Sequence, residues 1–367
     1  MLRDFVARLM AGEGAEVQLI EPRGLEFIAP PPLQQSLKVS EFGRVEFGPE
    51  ASADAQHISF ESDWIQRLGG VLGDRGRALR CVLHTDLPPL ANPERILEHG
   101  LTLQNAVCRL ASVTASWTRY LVLSFRYAAF SDEKRDGIVK LAVNLATSST
   151  PDEFIPAFES AASDADAVSS LPPGVKLPAY WSKERLGALL RGALPDRILR
   201  NLHQFLRTIE RRLERDSARL YDYYDGLRLE SINRTRKQRT DVERERARMA
   251  VVSREYQTKV GDLEQKYALK IEVEPVQTLE IVMPVRRFEV QIKRRKNERL
   301  LLLDWNPLAR KIERPPCEFG YTSDAIRVVC DEALHLLSPA AHSDCTGCGR
   351  DYCRACHPKK CPKCGRA

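Results

Sequence analysis

Six of the ten cysteines fall between Cys345 and Cys364, as three pairs: Cys345-x2-Cys348, Cys353-x2-Cys356 and Cys361-x2-Cys364. Each pair is a knuckle able to present two thiolates to a tetrahedral ion at about 2.3 Å. Glycine follows Cys348 and Cys364, where it lets the backbone turn under a metal. His342 and His357 lie close by in sequence, so Cys345, Cys348, Cys353, Cys356, Cys361, Cys364, His342 and His357 are the candidate ligands. Three pairs cannot all close around one ion, so one or two zinc ions are expected. The leading grouping joins the outer pairs into one four-cysteine site, and leaves Cys353 and Cys356 to a second site with a histidine and one further ligand. Adjacent pairs form the competing grouping.

The redox compartment supports metal over disulfide. The start, "MLRDFVARLMAGEGAEVQLIEP", reads as a short amphipathic helix and a strand, without the apolar stretch and small-residue cleavage site of a signal peptide. The longest aliphatic run, Leu300 to Leu303, is far below the roughly 20 apolar residues a membrane-spanning helix needs. A reducing cytoplasm is therefore expected, where paired cysteines signal metal or redox work.

Catalytic readings of the cysteines lack their partners. A zinc deaminase needs His-x-Glu, and neither His342 nor His357 has that glutamate. A hydrolytic zinc keeps an open coordination position that a surplus of sulfur would close. The spacing differs from ferredoxin-type clusters. The βαβ setting of a dithiol oxidoreductase is absent. A ubiquitin-ligase-like cross-brace matches "CPKC" but wants a long loop after its second ligand, whereas only four residues separate Cys348 from Cys353. Cys81 and Cys108 sit in apolar runs and read as core. Cys317, and Cys330 with His335 in "VVCDEALHLL", fit either core or a further knuckle, with His335 placed in the core on an apolar helix face. No serine or cysteine triad can be assembled around the remaining histidines. The glycines of "RLGGVLGDRG" end a helix, and no Gly-Lys-Ser/Thr follows them, which excludes a phosphate loop. No enzyme is expected.

The formal charge of +6 is concentrated in two stretches. Residues 228 to 248 carry eight bases against four acids, and residues 286 to 299 carry seven against two. Dense positive charge attracts polyanions through counterion release. Arg234, Arg236, Lys237 and Arg239 of the first stretch, and Lys293, Arg294, Arg295 and Lys296 of the second, are the candidate contacts to DNA or RNA. The competing reading is a solvated helix face and a charged strand edge.

Periodicity gives an α+β chain in four parts. Residues 1–170 read as a mixed domain of antiparallel sheet and helices. Its clearest feature is the hairpin "WTRYLVLSFRYAAFSDEKRDGIVKLAVNLATSS", with Leu121, Leu123, Phe125 and Tyr127 on one face and a solvated face opposite. Helices are expected near 151–169 and 181–193. Residues 171–268 form a long helical segment: after Pro195 there is no proline before Pro275, and Ile198, Leu202, Phe205, Ile209 and Leu213 recur at three or four. Val242, Met249, Tyr256 and Leu263 then recur at seven, as in coiled-coil packing, and such stripes could also join copies into an oligomer. Residues 269–340 alternate with period two, as a meander of four short strands broken at Pro275, Pro284 and "KRRKN", followed by a helix. Residues 341–367 are the zinc module.

The hairpin, the helical insert around "ERDSARLYDYYDGLRLESINR", the return to strands and the terminal cysteines resemble the non-ATPase accessory region of bacterial Swi/Snf-type, RNA-polymerase-associated ATPases. The likeness spans much of residues 1–340 and departs in one respect that governs activity: neither a Walker lysine motif nor an Asp-Glu-x-His box is present. The resemblance implies a separate subunit beside such an ATPase. The expected function is a zinc-binding adaptor on or near nucleic acid; the alternative is a scaffold whose zinc module and helices grip a protein without nucleic-acid contact.

Overall fold

A computed structural model describes residues 2–48, 55–73, 78–162, 171, 173–238, 242–322 and 326–366; the side chains of 235–238 and 343 are outside the description. The fold is mixed α+β, in two compact units, Met1–Arg77 and Ala78–Ala367.

The first unit runs α1 (Leu2–Gly12), β1 (Glu16–Ile20), β2 (Gly24–Ile28), α2 (Pro31–Leu37), β3 (Phe42–Phe47), β4 (Gln56–Ile58) and α3 (Asp63–Leu72). Its sheet has the order β1-β2-β3-β4, antiparallel except for the parallel β3/β4 pair. The alternation in "EVQLI" and "GLEFI" supplies the strands. Val6 and Met10 of α1, Leu33 and Leu37 of α2, and Trp64 and Leu68 of α3 close one core over Leu25, Phe27 and Val45. Gly43 lies so close to Phe27 that an added Cβ would sit 2.4 Å from its ring, which fixes glycine there.

In the second unit, β5 (Ala78–Val82), α4 (Pro93–Gly100) and β6 (Thr102–Leu103) precede the long hairpin β7 (Val107–Phe130) and β8 (Lys134–Asn144). Then come α5 (Phe154–Ala162), α6 (Lys183–Gln238), α7 (Val242–Tyr267), β9 (Lys270–Arg294), β10 (Asn297–Asn306), β11 (Lys311–Ile312), β12 (Ile326–Val329), β13 (Leu336–Leu337), β14 (His342–Asp344) and β15 (Asp351–Cys353). The main sheet has six strands in the order β11-β10-β9-β7-β8, with β5 parallel beside β9. The early hairpin and the later strands are thus one sheet, closed by the β7/β9 pairing that runs from Val107–Lys293 to Phe130–Lys270.

Four local expectations change. Pro275 and Pro284 do not break the meander: β9 is one strand of 25 residues through both. Pro275 sits at a register shift against Ser124 and Phe125, and Pro284 falls between the last β5 partner, Val282, and the first β10 partner, Arg286. Proline is tolerated where its missing N–H has no ladder partner to lose. The hairpin face expected in solvent is buried at its centre, because Phe154 and Phe158 of α5 pack on Tyr120 and Val122; towards the turn, Arg126 and its β8 neighbours Ile138 and Lys140 stay exposed on that face. Helix α6 continues through Pro195 because Leu189, Ala193, Ile198 and Leu202, on both sides of it, bury against the sheet with Leu123, Phe125, Leu141 and Val143. Gly192 permits this docking, since a Cβ there would lie 1.8 Å from the Gly320 carbonyl. Finally, the helix expected after the meander is absent, and "IRVVCDEALHLL" forms strand, turn and strand.

Beyond the sheet, α6 and α7 pair antiparallel as an arm. Tyr267 donates to Asp216 at 2.7 Å, the rings of Tyr224 and Tyr256 meet tilted with centroids 5.4 Å apart, and Ser231 donates to Glu245 at 2.5 Å. Arg212 anchors the base on Asp132 and Glu133 in the β7–β8 turn. From there to Gln238 is about 26 helical residues, or roughly 40 Å. The first apolar stripe therefore faces the sheet, whereas Met249 and Tyr256 of the second meet Tyr224 across the two helices and Val242 is exposed.

Candidate metal centres

The three terminal knuckles repeat one local geometry. Cys345 N–H bonds the Arg350 carbonyl at 2.9 Å, and Cys361 N–H bonds the Arg366 carbonyl at 2.8 Å. Gly349 and Gly365, at φ +66° and +72°, turn the chain back so that their N–H groups reach the carbonyls of Cys345 and Cys361. This is the left-handed region that glycine enters without a Cβ penalty. Main-chain amides also point at sulfur: Gly347 N–H lies 3.4 Å from Cys345 Sγ, and Cys356 N–H 3.3 Å from Cys353 Sγ. The Gly347 amide, first among its neighbours, pulls the Cys345 thiol down to about 6, and the amides of Cys364 and Lys363 lower Cys361. The leading cysteine of each outer knuckle is thus prepared as a thiolate, the form that binds metal.

Two groups of four ligand atoms result, each with all atoms within 4.8 Å of one another: Cys345, Cys348, Cys361 and Cys364; and Cys330, His335, Cys353 and Cys356. In the first, Sγ–Sγ distances are 3.5 Å for Cys345–Cys364 and 3.8 Å for Cys348–Cys361. A tetrahedral zinc with bonds of about 2.3 Å requires edges of about 3.8 Å. In the second, Cys330 and Cys356 are 3.9 Å apart, and His335 Nδ1 lies 3.8, 3.7 and 3.3 Å from Cys330, Cys353 and Cys356. Sulfur–nitrogen edges of about 3.5 Å would suit zinc there. Both groups fit zinc in donor type and size. The second is more enclosed, and burial pushes the thiols of Cys353 and Cys356 up, so metal must displace protons there.

The outer-pair grouping is the one the structure assembles. The second group differs from expectation in its remaining ligands. His342, in β14 opposite Cys353, and His357 lie outside both groups. His357 Nε2 instead contacts Glu332 at 3.1 Å, tying the Cys353–Cys356 knuckle to the Cys330–His335 turn. Cys330 and His335 fill the second group because no helix forms there: Leu334, at φ +54°, closes a turn that returns His335 to Cys330, with Cys330 N–H donating to the His335 carbonyl at 3.1 Å. Cys317 is core, its thiol donating to the Phe319 carbonyl at 2.7 Å. In chain order the four pairs alternate between the groups, so each centre clamps the segment carrying the other. This interleaving is a cross-brace, and counting the Cys330–His335 pair supplies the longer loop that the three terminal knuckles alone lack.

The second basic stretch braces this module. Arg294 pairs with Asp331 and donates to the Asn105 carbonyl at 2.8 Å, and Arg295 reaches Asp331 at 3.0 Å. Arg299 clamps Glu318 at 2.6 and 2.9 Å and donates to the Leu334 carbonyl at 3.0 Å. Lys293 pairs with Glu298 at 3.0 Å; Lys296 is exposed in the β9–β10 turn. In the first stretch Arg234 pairs with Glu230 at 2.6 Å, while the side chains of Arg236 and Lys237, and all of Arg239, lie outside the described residues. Arg244 and Arg246 on α7 are exposed.

No protein-family model matches this chain, and no curated protein matches it. Among the described helices none is long and apolar enough to cross a membrane.

Proposed function

We propose that the chain is a non-catalytic adaptor holding two structural zinc ions and acting on or near nucleic acid, beside a DNA-translocating or transcription-associated ATPase of the Swi/Snf type. The observation that carries the non-catalytic part is coordinative. Each group offers four protein ligands, so a tetrahedral ion in either has no position left for water or substrate. The nucleic-acid part rests on the arm, where Arg244 and Arg246 stand exposed near a tip roughly 40 Å from the sheet. The strand cluster at 293–296 suits phosphate less well, because three of its four cations already face carboxylates.

The test is fluorescence anisotropy of zinc-loaded full-length protein with DNA and RNA oligomers across a salt series. Each neutralised phosphate adds about 0.7 to 0.9 to the log–log slope, so Arg244→Glu with Arg246→Glu should flatten it by about 1.5 or more. No binding at low salt, or an unchanged slope, removes the nucleic-acid reading. The scaffold reading would then stand on the arm's aromatic cleft of about 220 Å³, where Tyr224, Arg228, Met249 and Tyr256 meet and Tyr221 is exposed. Tyrosine, arginine and methionine are enriched where proteins dock.

A further inference from the structure

A groove of about 820 Å³ opens in the second unit, lined by no member of either cysteine group. One wall is α4, the other the turn at 150–153 with Arg200 of α6, and the floor is the segment 306–316. Its apolar base is tightly built: a Cβ on Gly100 would lie 1.7 Å from Ile312, so α4 can approach the floor only with glycine at that position. The volume lies within the range of small-ligand sites, about 300 to 1,000 Å³.

The charge of the groove is one-sided. Arg95, Arg200, Arg310, Lys311, Arg314 and Arg327 line it against Asp152, Glu153 and Glu313. The three acids are already engaged. Asp152 is shared between Arg200 at 3.2 Å and the buried Arg197, and Glu153 is held by Lys311 at 2.9 Å with Arg314 nearby. Glu313 is buried and accepts hydrogen bonds from Tyr120, Asn144, Ser149 and Asn306. Arg327 is 2% exposed, its guanidinium donating to the carbonyls of Pro315, Ile326 and Thr322 at 3.1, 3.0 and 2.9 Å. Among the described residues, the guanidinium groups of Arg95 and Arg310 make no ion pair, and both are exposed at the rim.

We propose that this groove binds a small ligand carrying two or more phosphate groups, with Arg95 and Arg310 as its principal contacts. Guanidinium groups recognise phosphate oxygens in pairs, and cations disposed around a groove, in place of a line along a surface, suit a compact polyphosphate better than a strand. The proposal is independent of the arm's contacts. The test is isothermal titration of zinc-loaded full-length protein with inorganic triphosphate, ATP and a single-stranded DNA oligomer, with zinc content checked afterwards. Triphosphate and ATP should bind once per chain. Arg95→Ala with Arg310→Ala should weaken both roughly tenfold or more while leaving the melting temperature unchanged, since losing charge-assisted hydrogen bonds acts on the bound state. Arg244→Glu with Arg246→Glu should leave both affinities as they are. Absence of saturable binding, equal affinity in the double variant, or binding of the oligomer but not of triphosphate through Arg95 and Arg310 would each overturn the proposal.

Discussion

At the scale of residues, the structure sets two carboxylates deep in the main sheet. Asp304 is matched by Arg287 at 2.8 and 3.0 Å and by Asn144 at 2.9 Å. Glu313 faces four neutral donors and the Asp304 charge. Burial, with Asp304 second, raises the Glu313 carboxyl to about 7, and burial raises the Tyr120 hydroxyl well above its ordinary range. The sign follows from linkage. A carboxyl whose folded value exceeds its unfolded one binds more protons when folded, so its contribution to stability is complete below about 4.5 and is lost as pH rises through about 7. The urea midpoint of the zinc-loaded protein should therefore fall between pH 6 and pH 8, and Glu313→Gln should flatten that fall. Equal pH slopes in the two proteins would count against the assignment. None of this was legible in the sequence, because Glu313 meets Tyr120, Asn144 and Ser149 across more than 160 positions. His335 was misread for a related reason. Its apolar neighbours Leu334, Leu336 and Leu337 suited a buried helix face, whereas the left-handed turn at Leu334 sends Leu336 and Leu337 into β13 and swings the imidazole onto three thiols.

At the scale of elements, local pattern succeeded where spacing and turn residues were explicit. The knuckles, the β7–β8 hairpin and α3 follow from spacing, alternation and caps that tertiary contacts reinforce. Proline misled for two reasons: Pro195 and Pro284 lie between residues that bury against or within the sheet, whereas Pro275 sits at a register shift among exposed residues of β9. The arm behaves differently along its length. Ile198 and Leu202 belong to the sheet's core, while beyond Arg212 the helices meet only each other in the described contacts, through Tyr224, Tyr256, Ser231 and Glu245. The distal arm should therefore be separable. Replacing residues 218–262 with a short flexible turn should leave the melting temperature of the remaining protein within a few degrees, since it removes no contact of the sheet's core and closing a loop of changed length costs only about 0.6 kcal/mol per doubling. A large loss measured by differential scanning calorimetry would show that the arm supports the sheet.

At the scale of the whole molecule, positive charge has more than one task. The tail carries Arg350, Arg354, Lys359, Lys360, Lys363 and Arg366 around two centres that would hold seven thiolates. Two divalent ions leave such a pair of sites net negative, and the surrounding bases offset that charge. Arg294 and Arg299 likewise join the sheet to Asp331 and Glu318 beside the Cys330–His335 centre. Basic composition in this chain therefore reports metal and internal pairing as well as any polyanion it meets. The central claim is that alternate pairs form two four-ligand zinc centres, and zinc stoichiometry by native mass spectrometry tests it most directly. The account predicts two zinc ions per chain, one in His335→Ala, one in Cys361→Ser, and two in both His342→Ala and His357→Ala. A single ion in the unaltered protein, or loss of zinc on replacing His342 or His357 with none on replacing His335, would contradict it.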